Sequence, residues 1–425
     1  MKTLRPYQTQ AAELIVKTDA LIADACGLGK TVEAIEGAKL FRGGPLWRAL
    51  VICPLRLRDQ WIDEIKEQDP DHPVVVWDHG VIPEKPLDWV VTHYEYITEY
   101  YSLMNFVWDI IIVDEAHRIK GRKTKRAKAI KQLHAARKVA LTGTPMEKSA
   151  GDLWSILNWL NPDEFRGYWA FDTKYVNRIE NFYGYKVIEG NKNEEELTRV
   201  INPYMLRRTK EEVEPELPPR IMQTIRLTMS DEQKKVYERI KNADDVIVDD
   251  LVITNALAQI LRLQQITSYP MQLDYFVPSI KMQWLREWWR DNPNETVIIF
   301  AKFRKTAEHI HAMWPDELDL LMGGTPLPEL FLSGGVRGVV GTIDAMGEGL
   351  NLQRADVAIF VDLHWSTIKM QQAIDRIHRI NITGPKQIIY LICRSSVDNH
   401  INRALKNKWS ESEFVYEYLK ETENG

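Results

Sequence analysis

The sequence predicts an α/β protein of two parallel-sheet lobes with helical insertions, and three observations carry that prediction. Short apolar runs recur at helix-length spacing in both halves of the chain. The runs that bear chemistry end in glycine-rich or acidic strings. An acidic, proline-rich stretch at 211–220 separates the halves. Apolar strands joined by helical crossovers form open parallel sheets, whose ligands sit at the strands' carboxyl ends.

In the first half, an apolar run at 20–23 leads into Asp24-Ala25-Cys26-Gly27-Leu28-Gly29-Lys30-Thr31 and then an amphipathic stretch at 32–40. That order reads strand, turn, helix, and it aims backbone N–H groups and a helix N-terminus at one place. Such a nest binds phosphate. Lys30 adds a point charge, and the Thr31 hydroxyl can ligate Mg²⁺. Asp24 stands where a phosphate loop usually opens on glycine. The runs at 49–54, 74–77 and 89–92 read as buried parallel strands. The run at 109–113 ends in Asp114-Glu115-Ala116-His117, where Asp114 would hold Mg²⁺ and Glu115 would orient or deprotonate the attacking water. The run at 138–142 leads into Gly143-Thr144-Pro145. Together these strings equip a nucleoside-triphosphate hydrolase.

No acid lies between Glu115 and Glu147, while Arg118, Lys120, Arg122, Lys123, Lys125, Arg126, Lys128, Lys131, Arg137 and Lys138 crowd in. Such a run is ordinarily a solvated helix face. Starting inside the acidic string, it predicts instead a surface for nucleic-acid backbone phosphates. Residues 161–204 hold aromatics and charges without strand periodicity, which predicts inserted helices and loops. The predicted division is a first lobe at 1–210, an extended linker at 211–222, and a second lobe at 223–425 with a helical insertion at about 230–290.

The second lobe shows a helical pattern at 230–263 and buried-strand runs at 296–300, 339–342, 357–361 and 388–392. On a helix through 371–379, Gln372, Arg376 and Arg379 share one face, as arginine fingers would require. Trp284, Trp288 and Trp289, at helical spacing, predict core packing. Cys26 reads as a small space-filler, and His117 as a link from the acidic string to the Gly143 loop.

Net charge is −5, with 44% hydrophobic and 27% charged residues, so the chain is not coated in basic residues. The three cysteines, Cys26, Cys53 and Cys393, are isolated, which indicates neither a zinc site nor a disulfide framework. The start lacks the apolar region of a signal peptide, and no run approaches membrane-spanning length. A cytoplasmic, nucleoid-associated protein of a bacterium or of a virus's host is expected.

With these motifs in order, the sequence resembles the Swi/Snf-type DNA-translocating ATPases of helicase superfamily two along almost its whole length. Leu4-Arg5-Pro6-Tyr7-Gln8 resembles the glutamine motif that senses adenine, and 24–31 the phosphate loop with its Asp. Cys53-Pro54-Leu55 with Gln60-Trp61, Thr92-His93-Tyr94-Glu95, 114–120, 141–145, and Leu153-Trp154 with Leu157-Asn158 continue the series. Tyr204-Met205-Leu206-Arg207-Arg208-Thr209-Lys210 and Leu261-Arg262-Leu263-Gln264-Gln265-Ile266 are particular to this branch. Gly347-Glu348-Gly349-Leu350-Asn351-Leu352 and 372–379 complete it. A helix usual after Gly323-Gly324-Thr325 is trimmed, Asn381-Ile382 replace the usual Gly-Gln, and Phe360-Val361-Asp362-Leu363-His364-Trp365 is similar to annealing-helicase-like members.

The resemblance implies a minimal motor of two RecA-like lobes that hydrolyses ATP with Mg²⁺ in the cleft between them. Arg5, Gln8 and residues Asp24, Ala25, Cys26, Gly27, Leu28, Gly29, Lys30 and Thr31 would bind the nucleotide. Thr31 and Asp114 would hold the metal, and Glu115, Gln372, Arg376 and Arg379 would serve catalysis with Lys30. Arg56, Thr92, Lys120, Arg122, Lys123, Lys302, Gly324 and Thr325 would touch the track, which the resemblance makes double-stranded DNA bound without sequence preference. A monomer is expected, with no membrane partner and a recruiting protein left unidentified. Two other readings stay open at this point. One is a strand-unwinding or annealing helicase on branched DNA or RNA; the other is an ATP-gated clamp.

Overall fold

The structure, a computed structural model, describes residues 4–44, 46–78, 88–99, 106–146, 149–180, 186–214, 217–242, 251–347, 351–379, 382, 384–408, 414–415 and 417–419. It divides into two units, Met1–Glu216 and Leu217–Gly425.

The strands of the first unit are β1 (Ala20–Ile22), β2 (Ala49–Cys53), β3 (Val74–Val76), β4 (Trp89–His93), β5 (Val107–Asp114), β6 (His134–Leu141), β7 (Val176–Glu180), β8 (Lys186–Asn191) and β9 (Met205–Leu206). Seven of them form one parallel sheet in the order β3-β4-β2-β5-β6-β1-β9. β1 and β2 are buried along their whole length, as strands covered by helices on both faces must be. Successive side chains feed opposite faces: Leu21, Leu50, Ile111 and Val113 enter one apolar cluster, and Ile22, Val51, Ile112 and Leu141 the other. This order makes β5, β6 and β1 neighbours. The acidic string, the Gly143 loop and the phosphate loop therefore leave the sheet side by side at its carboxyl end.

Two expectations for this half are corrected. Within 161–204, β7 and β8 form an antiparallel hairpin with a bulge at Asn177/Arg178. Val176 and Ile188 pack on the core cluster while Ile179 is exposed, so no regular alternation marks it, and polar pairs add to its hold: Arg178 grips the Asp172 carboxylate with Nε (2.9 Å) and Nη2 (2.8 Å), and Asn177 Nδ2 donates to Glu189 (2.6 Å). Within the stretch expected to be extended, Lys210–Val213 is a helical turn, held by a capping box between Thr209 and Glu212. Pro215 and Glu216 lie outside the described residues.

The second unit contributes β10 (Arg220–Leu227), β11 (Val297–Ala301), β12 (Leu318–Leu321), β13 (Gly338–Thr342), β14 (Val357–Phe360) and β15 (Lys386–Cys393). They form a parallel sheet in the order β10-β15-β14-β11-β13-β12. β11, β13 and β14 are wholly buried. The edge strand β10 is mostly exposed, so it carries no apolar run to betray it. Helices Asp231–Lys241, Leu251–Ser268 and Ile280–Asp291 precede the inner strands. Ser230 and Ser279 cap the first and third by accepting from Gln233 N and Met282 N. Trp289 is buried against Trp314 in a stack (4.5 Å), and Trp284 and Trp288 pack on the same cluster, as core residues.

A buried cation fastens the third helix to the sheet. Lys281 Nζ lies 2.7 Å from Asp398 Oδ2 and 3.8 Å from Asp362 Oδ1, and donates to the Val361 carbonyl (2.8 Å). Asp398 also accepts from Thr267 Oγ1 (2.9 Å) and Cys393 N (3.0 Å). Burial opposes the Lys281 charge, but Asp398 and Asp362 outweigh it and raise the pKa above the ordinary lysine range. Removing one member of such a network strands the others. Lys281→Met is expected to lower stability by about 3–5 kcal/mol in urea unfolding. Because the folded pKa is raised, the wild-type contribution is complete below the ordinary lysine pKa and fades as pH climbs through the raised value. The variant should lack that alkaline decline, and an unchanged urea midpoint would refute the assignment.

Candidate nucleotide site and nucleic-acid interface

The phosphate loop spans the end of β1 and the helix Lys30–Phe41. Gly27 and Gly29 adopt left-handed φ values of 89° and 92°, which favour glycine. A Cβ on Gly29 would also come within 2.5 Å of Gln8 Nε2. Gln8 is buried and braces the loop. Its Nε2 donates to the Leu28 carbonyl (3.2 Å), its Oε1 accepts from Arg5 N (3.0 Å), and Tyr7 OH donates to Leu28 O as well (2.7 Å). Lys30 Nζ folds onto the loop's own carbonyls, Asp24 O at 2.7 Å and Ala25 O at 3.4 Å. On the Gly143 loop, a Cβ added to Gly143 would sit 2.5 Å from Cys26 Sγ and 3.6 Å from Lys30 Nζ, so the two loops meet there and Cys26 fills the contact.

The Asp24 and Arg5 side chains are both held in ion pairs within the first unit. The Asp24 side chain is fully buried and faces Arg208, whose Nε lies 3.0 Å from Asp24 Oδ2 and whose Nη2 pairs with the same oxygen. Arg208 also donates to Glu33 Oε1 (3.2 Å) and to the Tyr7 carbonyl, with its guanidinium over the Tyr7 ring at 4.9 Å. Asp24 thus anchors the loop from beneath, and only its carbonyl meets Lys30. The Arg5 guanidinium pairs with Glu214. Arg208 and Glu33 were not singled out from the sequence. Arg208 stood inside a branch-specific string, but nothing in that string showed what it would pair with.

The acidic string is held from several sides. Asp114 accepts from Trp61 Nε1 at Oδ2 (2.9 Å) and from Glu115 N at Oδ1 (2.8 Å). Tyr94 OH bonds the Asp114 carbonyl. Desolvation, then the Glu115 charge, raises the Asp114 pKa to about 6, while Trp61 and Lys30 oppose the rise. Glu115 takes a left-handed φ of 50°. Its carboxylate lies 3.3 Å from His117 Nδ1, which also faces Thr142 Oγ1 at 3.3 Å. His117 therefore links the acids to the Gly143 loop, where Thr144 N donates to Thr142 Oγ1 (3.1 Å). Among the described residues no group of three His, Cys, Asp or Glu side chains gathers as a metal cage. The donors here, one carboxylate and the Thr31 hydroxyl, are hard oxygens of the kind that Mg²⁺ takes while keeping waters and phosphates as its other ligands.

The arginine motif is corrected in shape. The helix carrying it, Thr367–Ile374, includes the half-buried Gln372 but ends before both arginines. Arg376 is buried, with Nε (3.0 Å) and Nη2 (2.6 Å) on the Gly347 carbonyl. Arg379 donates from Nε to Asp375 O (3.3 Å). The three do not share a helical face. Glu348, Gly349 and Leu350, with Ile380 and Asn381, lie outside the described residues.

Several residues expected at the track make contacts within the fold. Thr92 is fully buried and donates to the Trp77 carbonyl (2.8 Å). Lys302 Nζ donates to Gln264 Oε1 (2.7 Å) over the Trp365 ring at 3.5 Å, and burial pulls its pKa down to about 7. Thr325 Oγ1 is engaged with Met322 N (2.8 Å) and Met322 O (3.0 Å). Gly324, with φ 89°, is exposed. The basic run divides. Arg122 lies over Tyr168 (4.2 Å) and Trp169 (5.4 Å), Lys131 over Trp154 (4.5 Å), and Lys138 Nζ donates to the Trp159 carbonyl (2.8 Å). Arg137 Nη2 holds the Val16 carbonyl (3.1 Å). Lys123, Lys125 and Lys128 are exposed, and Arg56 and Lys120 half-buried.

A phosphate-binding loop beside a paired acidic string on a parallel sheet, followed by a second parallel-sheet unit, defines a helicase-like ATPase core. Residues 7–274 match the SNF2-related domain, and residues 280–381 the helicase conserved C-terminal domain. The chain belongs to the SNF2-related family.

It is 29% identical, over 94% of its length and 42% of the relative's, to the mouse SWI/SNF-related matrix-associated actin-dependent regulator of chromatin subfamily A member 1. Against the Arabidopsis thaliana ATP-dependent DNA helicase DDM1 the identity is 26%, over 96% of this chain and 61% of the relative. The solved Sulfolobus solfataricus SWI2/SNF2 ATPase core in complex with double-stranded DNA matches 97% of this chain and 92% of its own, at 27% identity and a TM-score of 0.48. The chain thus spans less than two thirds of these curated relatives' lengths.

The buried carboxyl pair beneath the loop makes stability depend on pH. Desolvation, then the Asp24 charge, raises the Glu33 pKa to about 8. With a folded pKa above the unfolded one near 4.3, the contribution of Glu33 is full below that unfolded value and is lost as pH rises through about 8. Glu33→Gln keeps the neutral form, so urea unfolding between pH 5 and 8 should show a flatter stability profile than wild type. Identical slopes would mean that Glu33 is charged in the fold.

Proposed function

We propose that this chain is an ATP-dependent translocase on double-stranded DNA, hydrolysing ATP at the phosphate loop and acidic string of its first unit. The observation that carries this reading is the convergence of Lys30, the Gly143 loop and the Asp114–Glu115 pair in a chain of the SNF2-related family.

In this reading Lys30 leaves the Asp24 and Ala25 carbonyls for the β- and γ-phosphates. Those two carbonyls now hold its ammonium. Thr31 and Asp114 would hold Mg²⁺, which would supply charge neutralisation on the phosphates. Glu115, beside His117, orients the attacking water and takes its proton. Arg376 and Arg379 serve as arginine fingers, a contribution typically worth on the order of 10³–10⁵ in rate. Exposed Lys123 and Lys125 offer sequence-independent contacts to backbone phosphates. The proposal includes a monomeric motor.

ATP turnover should be low alone and rise strongly with duplex DNA, less with single strands or RNA. Equal turnover with and without nucleic acid would remove the translocase reading, and stimulation by forked DNA with strand release would favour an unwinding enzyme. Glu115→Gln should abolish turnover yet keep nucleotide affinity near wild type, whereas Lys30→Ala should weaken binding itself. Substantial multiple turnover by Glu115→Gln would show that another group activates the water.

A further inference from the structure

The second unit gathers positive charge at a place that none of the motifs above occupies. The carboxyl end of β10, the last turn of helix Asp231–Lys241, the turn after β15 and the helix Val397–Asn407 enclose a cavity of about 600 Å³. Arg226, Lys241, Arg394 and Arg403 line it, with Ser395 and His400 between them, and among the described residues no acid lies in its wall. Among the described residues, Arg226, Lys241 and Arg394 make no ion pair with a carboxylate. Arg226 donates to Asn399 Oδ1 (3.2 Å) and Arg394 to the Arg226 carbonyl (3.4 Å). Arg226, Lys241 and Arg394, gathered at one concavity, repel one another and concentrate anions there.

The attraction comes from side chains and not from the neighbouring helix end, whose amides are spoken for. Val397 N donates to Tyr237 OH (2.8 Å) and Asp398 N to Ser396 Oγ (3.2 Å). His400 adds no charge, since burial lowers its pKa.

We propose that this cavity seats backbone phosphates of the duplex track, a contact of the second unit beyond those the family resemblance supplies. The inference rests on the double-stranded DNA reading above. The cavity is nucleotide-sized rather than ion-sized, and three of its four cations are arginines, whose planar forks suit phosphate oxygens. It opens at the carboxyl end of the sheet, the same end as Lys302 and Thr325. Those two have turned their polar atoms inward, so the exposed cations of this unit at that end include Arg226, Lys241 and Arg394.

The test is the full chain carrying Arg394→Glu with Lys241→Glu, both at exposed positions. Duplex affinity is measured by fluorescence anisotropy across a salt series, with thermal unfolding as the check on folding. Loss of two phosphate contacts should weaken binding about tenfold at low salt and flatten the slope of log affinity against log salt by about 1.8. Nucleotide affinity without DNA should stay at the wild-type value. If the glutamate pair unfolds, Arg394→Gln with Lys241→Gln carries the same measurement at neutral charge. A folded variant with the wild-type slope overturns the proposal. So does loss of pyrophosphate binding with the duplex slope unchanged, which would make the cavity a small-anion site, or loss of binding to a polyglutamate peptide alone, which would assign it to an acidic protein. Failure of the double-stranded DNA reading is distinguishable, because wild type itself would then bind no duplex at any salt concentration.

Discussion

The Arg208 guanidinium is the contact on which the first unit's site depends. It is nearly buried, and it faces the Asp24 carboxylate, the Glu33 carboxyl and the Tyr7 carbonyl together. Each of those groups belongs to a different piece of the site: the loop, the helix that follows it, and the helix whose Gln8 braces Leu28. Without a cation there, two acids would share a dry space beneath a loop built to accept phosphate. Buried ion networks return little net stability after desolvation, so what this one secures is position. Lys30 can then rest on the loop carbonyls, because its own charge is not needed to neutralise Asp24.

The second unit repeats the device with other residues. Lys281 lies between Asp398 and Asp362, buried at the carboxyl side of β14 and β15. Asp362 accepts from Ser268 Oγ and from Lys302 N, both at 3.0 Å, so the network also sets where Lys302 begins its turn back over Trp365. In each unit one interior cation ties helix to strand end and fixes where the neighbouring side chains begin.

How much of this was legible follows from burial. The inner strands had to be continuous apolar runs, and β2, β5, β11, β13 and β14 were readable as such. Strands at the margins were not. β10 is exposed along most of its length, β9 is two residues long, and β7 and β8 bury Val176 and Ile188 without a regular apolar alternation, held also by Arg178 and Asn177. The phosphate loop and the acids were readable because their chemistry demands particular residues at fixed spacing. The direction of a long side chain is not encoded that way. Lys302 was an expected track contact, yet its ammonium answers to Gln264 and Trp365, which lie far from it in sequence. Arg376 and Arg379 have helical spacing, but the helix stops at Ile374, and a carbonyl at Gly347 decides where Arg376 goes.

The order of the strands also imposes a timetable on the chain as it is made. β1 lies between β6 and β9, and Ala25 N donates to the carbonyl of Arg208, so the phosphate loop is anchored by residues synthesised long after it. The second unit closes in the same way, since β15 fills the place between β10 and β14. A ribosome at work on the middle of either unit therefore exposes a half-built sheet with an open slot. Pairings across so much intervening chain form slowly, and unpaired strand edges are where nascent chains stick to one another. The capacity to grip a nucleotide thus arrives late in translation, once residue 208 has left the exit tunnel.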